Sequence, residues 1–380
     1  GQKYEVSKYQ YNIFDTLLHT PYNIMVEACA GSGKTTTIIK MLDFIENSKK
    51  ILFVAFNKDI VSDIKGKIIN GENIQIRTLH SLGLNILTKY FEGRDMVYDN
   101  FKYITYFKNN IYSLTEKPER ILDEKTREEF IENTIKLLNF GRYNLSQTEK
   151  DLQKIEDIYK ISSISDEKKV AIKLMEWGMK NIDKIDFTDM IWLPNALLIN
   201  NKWNRYDYII LDEAQDANMC QFELLQKCKK MGCRMIIVGD KNQSIYSFAG
   251  SSQEVMKNFK DMPNTKSLPL SITYRCPKKI VDFVNENFKN IVFEARPNAP
   301  EGIITHGTTI KDLRKGDTVL CRTNAPLAKI YMDLLKEGKK SYISGREIGE
   351  NMIDIINSYK NEKYVNVNVT KEGLIRSMYI

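Results

Sequence analysis

The chain has 380 residues, 42% hydrophobic and 28% charged, a composition that excludes a disordered chain and suffices for two or three packed domains. Its 56 basic and 49 acidic residues give a formal net charge of +7, a mild excess that permits contact with a phosphate backbone. The six cysteines form no CxxC pair and only three histidines are present, so neither a disulfide framework nor a zinc site is predicted.

Residues 24–83 alternate short apolar runs with amphipathic stretches. Strands are predicted at 24–26 and 51–54, with a helix after Lys34 between them. This alternation is typical of βαβ units and predicts a parallel sheet. From about 93 to 184, charged helix-forming segments such as 117–138 and 148–159 replace the strand-like runs, and Pro118 suits a helix start.

Strand patterns return at 208–211 and 235–238, each followed by acidic residues, as where a buried strand ends at an active-site edge. A second α/β region is predicted from about residue 267, with a strand-like run at 318–321. We therefore predict a first domain at 1–92 and 185–265, a helical insertion at 93–184, and a second, partial domain at 266–380.

A phosphate-binding loop is predicted at residues 28–35, A-C-A-G-S-G-K-T, between a strand and a helix. It departs from the usual pattern only at Ala28, which replaces the first glycine. Lys34 is expected to reach the β- and γ-phosphates of ATP, and the Thr35 hydroxyl to bind Mg²⁺. The predicted nucleotide-binding residues of this segment are Ala30, Gly31, Ser32, Gly33, Lys34, Thr35 and Thr36.

An acidic pair ends the apolar run before residue 212, in the sequence L-D-E-A-Q-D at 211–216. Asp212 is the predicted Mg²⁺ ligand, and Glu213 is expected to orient or deprotonate the water that attacks the γ-phosphate. Such a pair alone is as often a solvated strand end. Together with the phosphate-binding loop it predicts an ATP- and Mg²⁺-dependent site.

Seven segments in the expected order resemble the motifs of UvrD-like superfamily 1 helicases. D-E-A-Q-D at 212–216, G-D-K-N-Q-S-I-Y at 239–246 and T-Y-R at 273–275 are similar to motifs II, III and IV. Gln10 with Ile13 and Phe14 resembles the adenine-reading Q motif. A-F-N-K at 55–58, T-L-H-S at 78–81 and V-L-C-R-T-N at 319–324 resemble motifs Ia, Ib and IVa.

The resemblance implies an α/β fold: a RecA-like P-loop NTPase domain with an inserted helical subdomain and a second, incomplete RecA-like domain. It also implies that Gln10 hydrogen-bonds to adenine, that Tyr274 stacks on it, and that Gln243 senses the γ-phosphate. Arg275, attributed to the second domain, would stabilise the transition state. The alternatives are an ordinary exposed helix residue for Gln10 and a surface salt bridge for Arg275. The implied catalytic residues are Lys34, Glu213, Gln243 and Arg275.

DNA contact is expected to rely on aromatic rings, because a base stacks on a ring whatever its sequence. The candidates are Phe56, Tyr246 and Phe248, for each of which core packing is the alternative. At Phe248-Ala249 the family commonly has Trp and Arg, so one ring is smaller and one basic contact is missing. The further expected DNA contacts are Asn57, Thr78 and His80, although His80 also fits a role in capping or packing a turn.

The family's motifs V and VI are not found in this chain. The run T-K-E-G-L at 370–374 echoes one of them but lacks its histidine. We therefore expect an incomplete second motor domain that binds ATP yet hydrolyses it slowly, because catalysis needs residues from both domains. The alternative is a naturally degenerate ATPase.

The resulting prediction is an ATP-dependent DNA helicase that moves 3′ to 5′ on single-stranded DNA and acts at ss/ds DNA junctions, as a monomer or weak oligomer. The alternative is a nucleotide-switched DNA-binding scaffold or regulatory subunit. A P-loop kinase would not explain residues 239–246, and an RNA helicase is separated only by duplex preference. No apolar run approaches the roughly 18 residues of a membrane span, which predicts a cytoplasmic protein without membrane contact.

Overall fold

A computed structural model of the chain describes residues 5–56, 58–67, 72–243, 253–288, 293–321 and 323–343. Two compact units are distinguished, Gly1–Gly302 and Ile303–Ile380. Among the described residues, no helix is long and apolar enough to cross a membrane.

The strands of the described residues are β1 (Asn23–Ala28), β2 (Ile51–Ala55), β3 (Ile74–Thr78), β4 (Val97–Tyr98), β5 (Lys184–Ile185), β6 (Tyr206–Leu211), β7 (Lys229–Gly239), β8 (Thr265–Leu270), β9 (Ile272–Thr273) and β10 (Glu294–Ala295). The α-helices are α1 (Lys8–His19), α2 (Lys34–Leu42), α3 (Lys58–Lys67), α4 (Leu79–Tyr90), α5 (Lys102–Leu114), α6 (Glu124–Tyr143), α7 (Glu149–Tyr159), α8 (Glu167–Lys180), α9 (Asp189–Ala196), α10 (Met219–Gln226), α11 (Gln253–Lys260), α12 (Lys278–Asn287) and α13 (Asn324–Lys336). The four strands predicted from apolar runs, in β1, β2, β6 and β7, are confirmed.

Six parallel strands form one sheet in the order β3-β2-β6-β7-β1-β8. Both faces are covered, as is usual for parallel sheets, and for this reason the strands are apolar along their length instead of alternating. Met25 of β1 faces one core, and its neighbours Ile24 and Val26 face the other. Because the strands are parallel, the loops after β1, β6, β7 and β8 emerge at the same edge.

The helical insertion is confirmed and contains α5 to α8. Its ends meet, because β4 pairs with β5 in a short parallel ladder. The predicted helix at 117–138 starts later, since Pro118 opens a separate 3-10 turn and α6 is capped by Asp123, whose side chain accepts from the Thr126 N–H at 2.9 Å. Thr148 caps α7 through a reciprocal pair with Asp151.

A buried ion network ties the insertion to the segment that follows it. Lys102 Nζ lies 2.7 Å from Asp189 Oδ2, and Arg142 binds Asp186 at 2.7 Å and Asp189 at 3.0 Å. All four side chains are buried. Two cations and two carboxylates therefore neutralise one another where water is excluded, which fixes the insertion on α9.

The predicted division at 265/266 differs from the structure. It would cut β8 after its first residue, but β8 pairs with β1 along its whole length, from Asn23↔Thr265 to Ala28↔Leu270. The first compact unit accordingly extends to Gly302. In the second unit, the run 318–321 is not a strand: Leu320 is 89% exposed, and no strand among the described residues 303–343 offers it a ladder. An apolar run without a partner strand or a covered face has nothing to stabilise it as a strand.

Candidate nucleotide site and DNA-contacting face

The loop at residues 29–33 has the geometry of a phosphate cradle. It leaves β1 and enters α2, with Gly31 at φ +72° and Gly33 at φ +79°. Gly33 is the N-cap of α2, and no side chain caps the helix there. The first N–H groups of α2 therefore remain available for an anion, which the helix dipole also favours.

Gly31 is required by packing as well as by φ. A Cβ atom at this position would lie 2.5 Å from the Cβ of Arg275 and 3.0 Å from Oγ1 of Thr273. The backbone N–H of Tyr274 donates to the Gly31 carbonyl at 2.9 Å. The segment 273–275 thus lies directly against the loop, which brings the predicted residues Tyr274 and Arg275 to the site.

Lys34 and Glu213 form the central ion pair of the site. Lys34 Nζ lies 2.6 Å from Oε2 of Glu213, and the lysine side chain is only 12% exposed. Glu213 has φ +52°, a left-handed backbone conformation that costs a non-glycine residue about 1 kcal/mol. Such conformations cluster at functional sites, where the surrounding structure enforces them.

The carboxylates beside Glu213 are difficult to ionise. Burial, with the negative charge of Glu213 adding to it, raises the pKa of Asp212 to about 6. The same two causes raise the pKa of Asp216 to about 6, and its Oδ1 is buried without a hydrogen-bond partner among the described residues. A nearby cation would reverse this effect, since it favours the charged carboxylate.

Gln215, which was not predicted as a site residue, connects two loops. Its Nε2 donates to Oε2 of Glu213 at 2.7 Å, and its Oε1 accepts from the N–H of Asp240 at 3.0 Å. Asp240 in turn accepts from Nε2 of Gln243 at 2.6 Å. The predicted γ-phosphate sensor Gln243 is therefore linked to Glu213 through two intervening residues.

Gln10 is buried, unlike an ordinary exposed helix residue. Its Nε2 donates to Oγ1 of Thr37 at 2.9 Å, and its Oε1 accepts from the Ser7 N–H at 3.1 Å in the capping box of α1. It is thereby fixed against the first turns of α2. The side chains of Tyr274 and Arg275 are exposed, and the structure groups both with the unit Gly1–Gly302, whereas Arg275 was attributed to a second domain.

Metal binding at this site would depend on few protein ligands. Among the residues that the structure describes, no group of three or more His, Cys, Asp or Glu side chains is positioned to hold a metal. One hydroxyl and one carboxylate, Thr35 and Asp212, are the donors expected for Mg²⁺, which usually keeps several waters and binds substrate phosphates. The residues present fit this mode.

The predicted DNA contacts differ in their surroundings. Phe56 is half-buried and packs against the main core. Thr78 caps α4, its side chain accepting from the Ser81 N–H at 3.2 Å. Three further predicted contacts lie outside the described residues: Asn57, Tyr246 and Phe248.

His80 is stacked on Phe187, a second residue that was not predicted. Their ring centroids are 3.5 Å apart and the rings are 15° from parallel. Burial lowers the pKa of His80 to about 4, so the ring is neutral at pH 7. Phe187 is 50% exposed and offers its free surface beside the predicted DNA-contacting segment 78–81.

Comparison with known proteins agrees with this geometry. The family model for the UvrD/REP helicase N-terminal domain matches residues 11–264. The chain is 29% identical to the ATP-dependent DNA helicase Rep of Buchnera aphidicola subsp. Acyrthosiphon pisum over 286 residues, 70% of this chain and 43% of that protein. It is 28% identical to the Escherichia coli Rep helicase over 295 residues, which cover 72% and 42% of the two chains.

A probable DNA helicase II homolog of Mycoplasma pneumoniae is 25% identical over 309 residues, 74% of this chain and 42% of that protein. The chain thus spans about two fifths of the length of the curated relatives it matches.

Proposed function

The chain belongs to the UvrD/REP helicase family, and on that premise we propose that it is the motor part of an ATP-dependent DNA helicase. It couples ATP hydrolysis to 3′ to 5′ movement along single-stranded DNA and to unwinding at ss/ds junctions. The observation that carries the proposal is the Lys34–Glu213 pair at the mouth of the phosphate cradle.

Nucleotide binding exchanges the partner of Lys34. In the structure its ammonium is neutralised by Glu213 at 2.6 Å. The β- and γ-phosphates of ATP offer the ammonium a more highly charged partner, held also by the N–H groups at the start of α2. Glu213 is then released to accept a proton from the attacking water, as a general base.

Asp212 and Thr35 would hold Mg²⁺ beside the phosphates. When bound, the ion neutralises charge that develops on the phosphate oxygens. The burial that raises the pKa of Asp212 to about 6 is offset by such a cation, so the carboxylate is ionised when the site is loaded. Arg275, whose Cβ approaches Gly31, would stabilise the transition-state charge from the opposite side of the loop.

Coupling between ATP and DNA runs through Gln215. This side chain holds Glu213 and the backbone of Asp240 together, and residues 244–248, which include the predicted ring contacts Tyr246 and Phe248, follow Gln243 directly. Three hydrogen bonds therefore lead from Glu213 through Gln215 and Asp240 to Gln243, and along them a change in Glu213 on hydrolysis reaches the residue that precedes the predicted ring contacts. His80 follows β3 at the same edge of the sheet, and its stack with Phe187 would support a DNA base.

The test is Mg²⁺-ATP hydrolysis with and without single-stranded DNA, at fixed salt concentration, with Lys34→Ala and Glu213→Gln as controls. We expect DNA to stimulate turnover and both substitutions to abolish the stimulation, with Glu213→Gln still binding nucleotide. Nucleotide and DNA binding without turnover would instead favour the nucleotide-switched scaffold. Strand displacement on 3′- and 5′-tailed duplexes then tests the polarity.

A further inference from the structure

A basic surface occupies the amino-terminal edge of the sheet, opposite the nucleotide site. Basic residues precede or begin three neighbouring strands: β2, β6 and β7. Two more lysines lie in the adjoining segments. We call these seven residues the amino-edge cluster: Lys49, Lys50, Lys202, Arg205, Lys227, Lys229 and Lys230.

The pairing of the strands brings the cluster together. Ile51 of β2 is in register with Tyr208 of β6, and Tyr206 of β6 with Lys229 of β7. Adjacent strands lie about 4.8 Å apart, so the cations before these strands form a row about 10 Å long. All strands run the same way, and the phosphate cradle is therefore at the far edge.

The positive charge of the cluster is largely uncompensated. Asp207 is the one carboxylate bound within it among the described residues, at 2.8 Å from Lys230 Nζ. Among the described residues, the partners of Arg205 are neutral oxygens, those of Asn201 at 2.8 Å, Lys229 at 3.1 Å and Asn200 at 3.4 Å.

Two further lysines of the cluster also bind neutral oxygens: Lys229 donates to Gln226 at 3.1 Å and Lys227 to the Ile199 carbonyl at 3.5 Å. Seven cations against one bound carboxylate leave a formal excess of six, compared with +7 for the whole chain. Two carboxylates near Lys49 reduce this excess at one end of the cluster only. The Glu46 carbonyl accepts from the Lys49 N–H in a turn, and Asn73, the neighbour of Glu72, donates its Nδ2 to the Lys49 carbonyl.

We propose that the amino-edge cluster binds the phosphate backbone of duplex DNA, as a contact separate from the motor's own strand. A row of cations held on neutral partners keeps its charge for an external polyanion, and on binding DNA it releases the counterions condensed on the phosphates that it neutralises. The choice of DNA among polyanions rests on the proposed function; the surface itself does not depend on ATP hydrolysis.

Trp203 supplies a reporter inside the cluster. It is 44% exposed and lies between Lys202 and Arg205 in sequence. The chain's other two tryptophans are Trp192, which is buried, and Trp177, which is half-buried in the insertion. Duplex bound at the cluster therefore changes the fluorescence of Trp203 selectively, and Trp203→Phe removes the change.

The test compares two triple variants of exposed lysines for binding to a blunt duplex. The first is Lys49→Gln/Lys50→Gln/Lys202→Gln, whose side chains make no hydrogen bond or ion pair among the described residues. The control is Lys125→Gln/Lys150→Gln/Lys154→Gln in the insertion, which removes the same charge. For the first variant we expect roughly 500-fold weaker binding at 0.1 M salt and a log–log salt slope smaller by about 2.7; the control should match the parent.

Equal binding by both triple variants, or loss of poly-glutamate binding with duplex binding intact, would overturn the proposal. The latter result would identify an acidic protein segment as the partner. Lys34→Ala separates this test from that of the motor: it should lose ATP turnover but keep the Trp203 response to duplex. The first triple variant should show the reverse, with parental DNA-free ATP turnover.

Discussion

Nε2 of Gln215 lies 2.7 Å from the same Glu213 oxygen that binds Nζ of Lys34 at 2.6 Å. Replacing Gln215 by Met keeps the volume but leaves Glu213 and the Asp240 N–H without this partner. An unsatisfied buried group costs about 1–3 kcal/mol, so we expect DNA-stimulated turnover to fall roughly 5- to 150-fold. Single-turnover kinetics with a nucleotide-binding assay measure this, and Gln226→Met on α10 is the control. Unchanged stimulation would show that the coupling runs elsewhere.

Gly31→Ala should disable the phosphate cradle. The added Cβ meets Arg275 Cβ at 2.5 Å, and φ is +72°, so the loop or the segment 273–275 must move. We expect at least about tenfold weaker binding of an ATP analogue, by calorimetry. Gly93→Ala is the matched control, because Gly93 also has positive φ, +81°, but open space around it. It should cost about 1 kcal/mol of stability and no affinity.

Asp212→Asn should stabilise the ligand-free protein at neutral pH. The folded-state pKa of about 6 is above the ordinary value of 3.8, so the stability from this group is present at low pH and lost as pH rises through 6. Asn keeps the acceptor for the Glu213 N–H without the charge. In urea unfolding, the advantage of the variant should grow by about 2 kcal/mol between pH 4.5 and 7.5. Its stabilisation by Mg²⁺ with nucleotide should vanish; a pH-independent difference would contradict the assignment.

Arg142→Met should destabilise the fold far more than loss of a surface charge on the same helix. The guanidinium is buried between Asp186 and Asp189, and its removal leaves their charges uncompensated, at a cost of about 3–5 kcal/mol. Lys136→Met in α6 removes an exposed pair with Glu132 and should cost under about 1 kcal/mol. Denaturant unfolding of both variants compares the two costs, and similar values would argue against a buried network.

Phe187→Ala should weaken single-stranded DNA binding by roughly 5- to 150-fold, the loss of a stack worth about 1–3 kcal/mol. The salt slope should not change, because His80 beneath it is neutral and no phosphate contact is removed. Fluorescence anisotropy at several salt concentrations measures both quantities. Phe44→Ala, two residues beyond the end of α2 and 43% exposed, is the control. Equal losses in the two variants would reject the stack as a DNA contact.

Features set by local patterns were predictable from the sequence. The apolar runs of β1, β2, β6 and β7 and the glycines of the loop at 29–33 carry their signals within a few residues, and the helical insertion is marked by the same local change of period. β8 was not predicted, because its sequence T-K-S-L-P-L contains polar residues and Pro269. Its strand conformation depends on pairing with β1.

Contacts between distant segments were not predictable in this way. Gln215 matters because the sheet places Asp240 beside it, and Phe187 because α4 brings His80 under its ring. Neither residue type is unusual for its position in the sequence. Gln215 stood within the recognised D-E-A-Q-D segment, and its polar side chain next to an acidic pair was the one available sign.

The meeting of β4 and β5 also bears on how such a chain diversifies. Because the two ends of the insertion lie side by side, the segment between them can be lengthened, shortened or replaced without changing the strand order of the main sheet. Charge limits such replacement. Asp186 and Asp189 lie outside the insertion, so any replacement must supply cations in place of Lys102 and Arg142. The insertion can thus be exchanged as a module only for one that carries cations able to neutralise these two buried carboxylates.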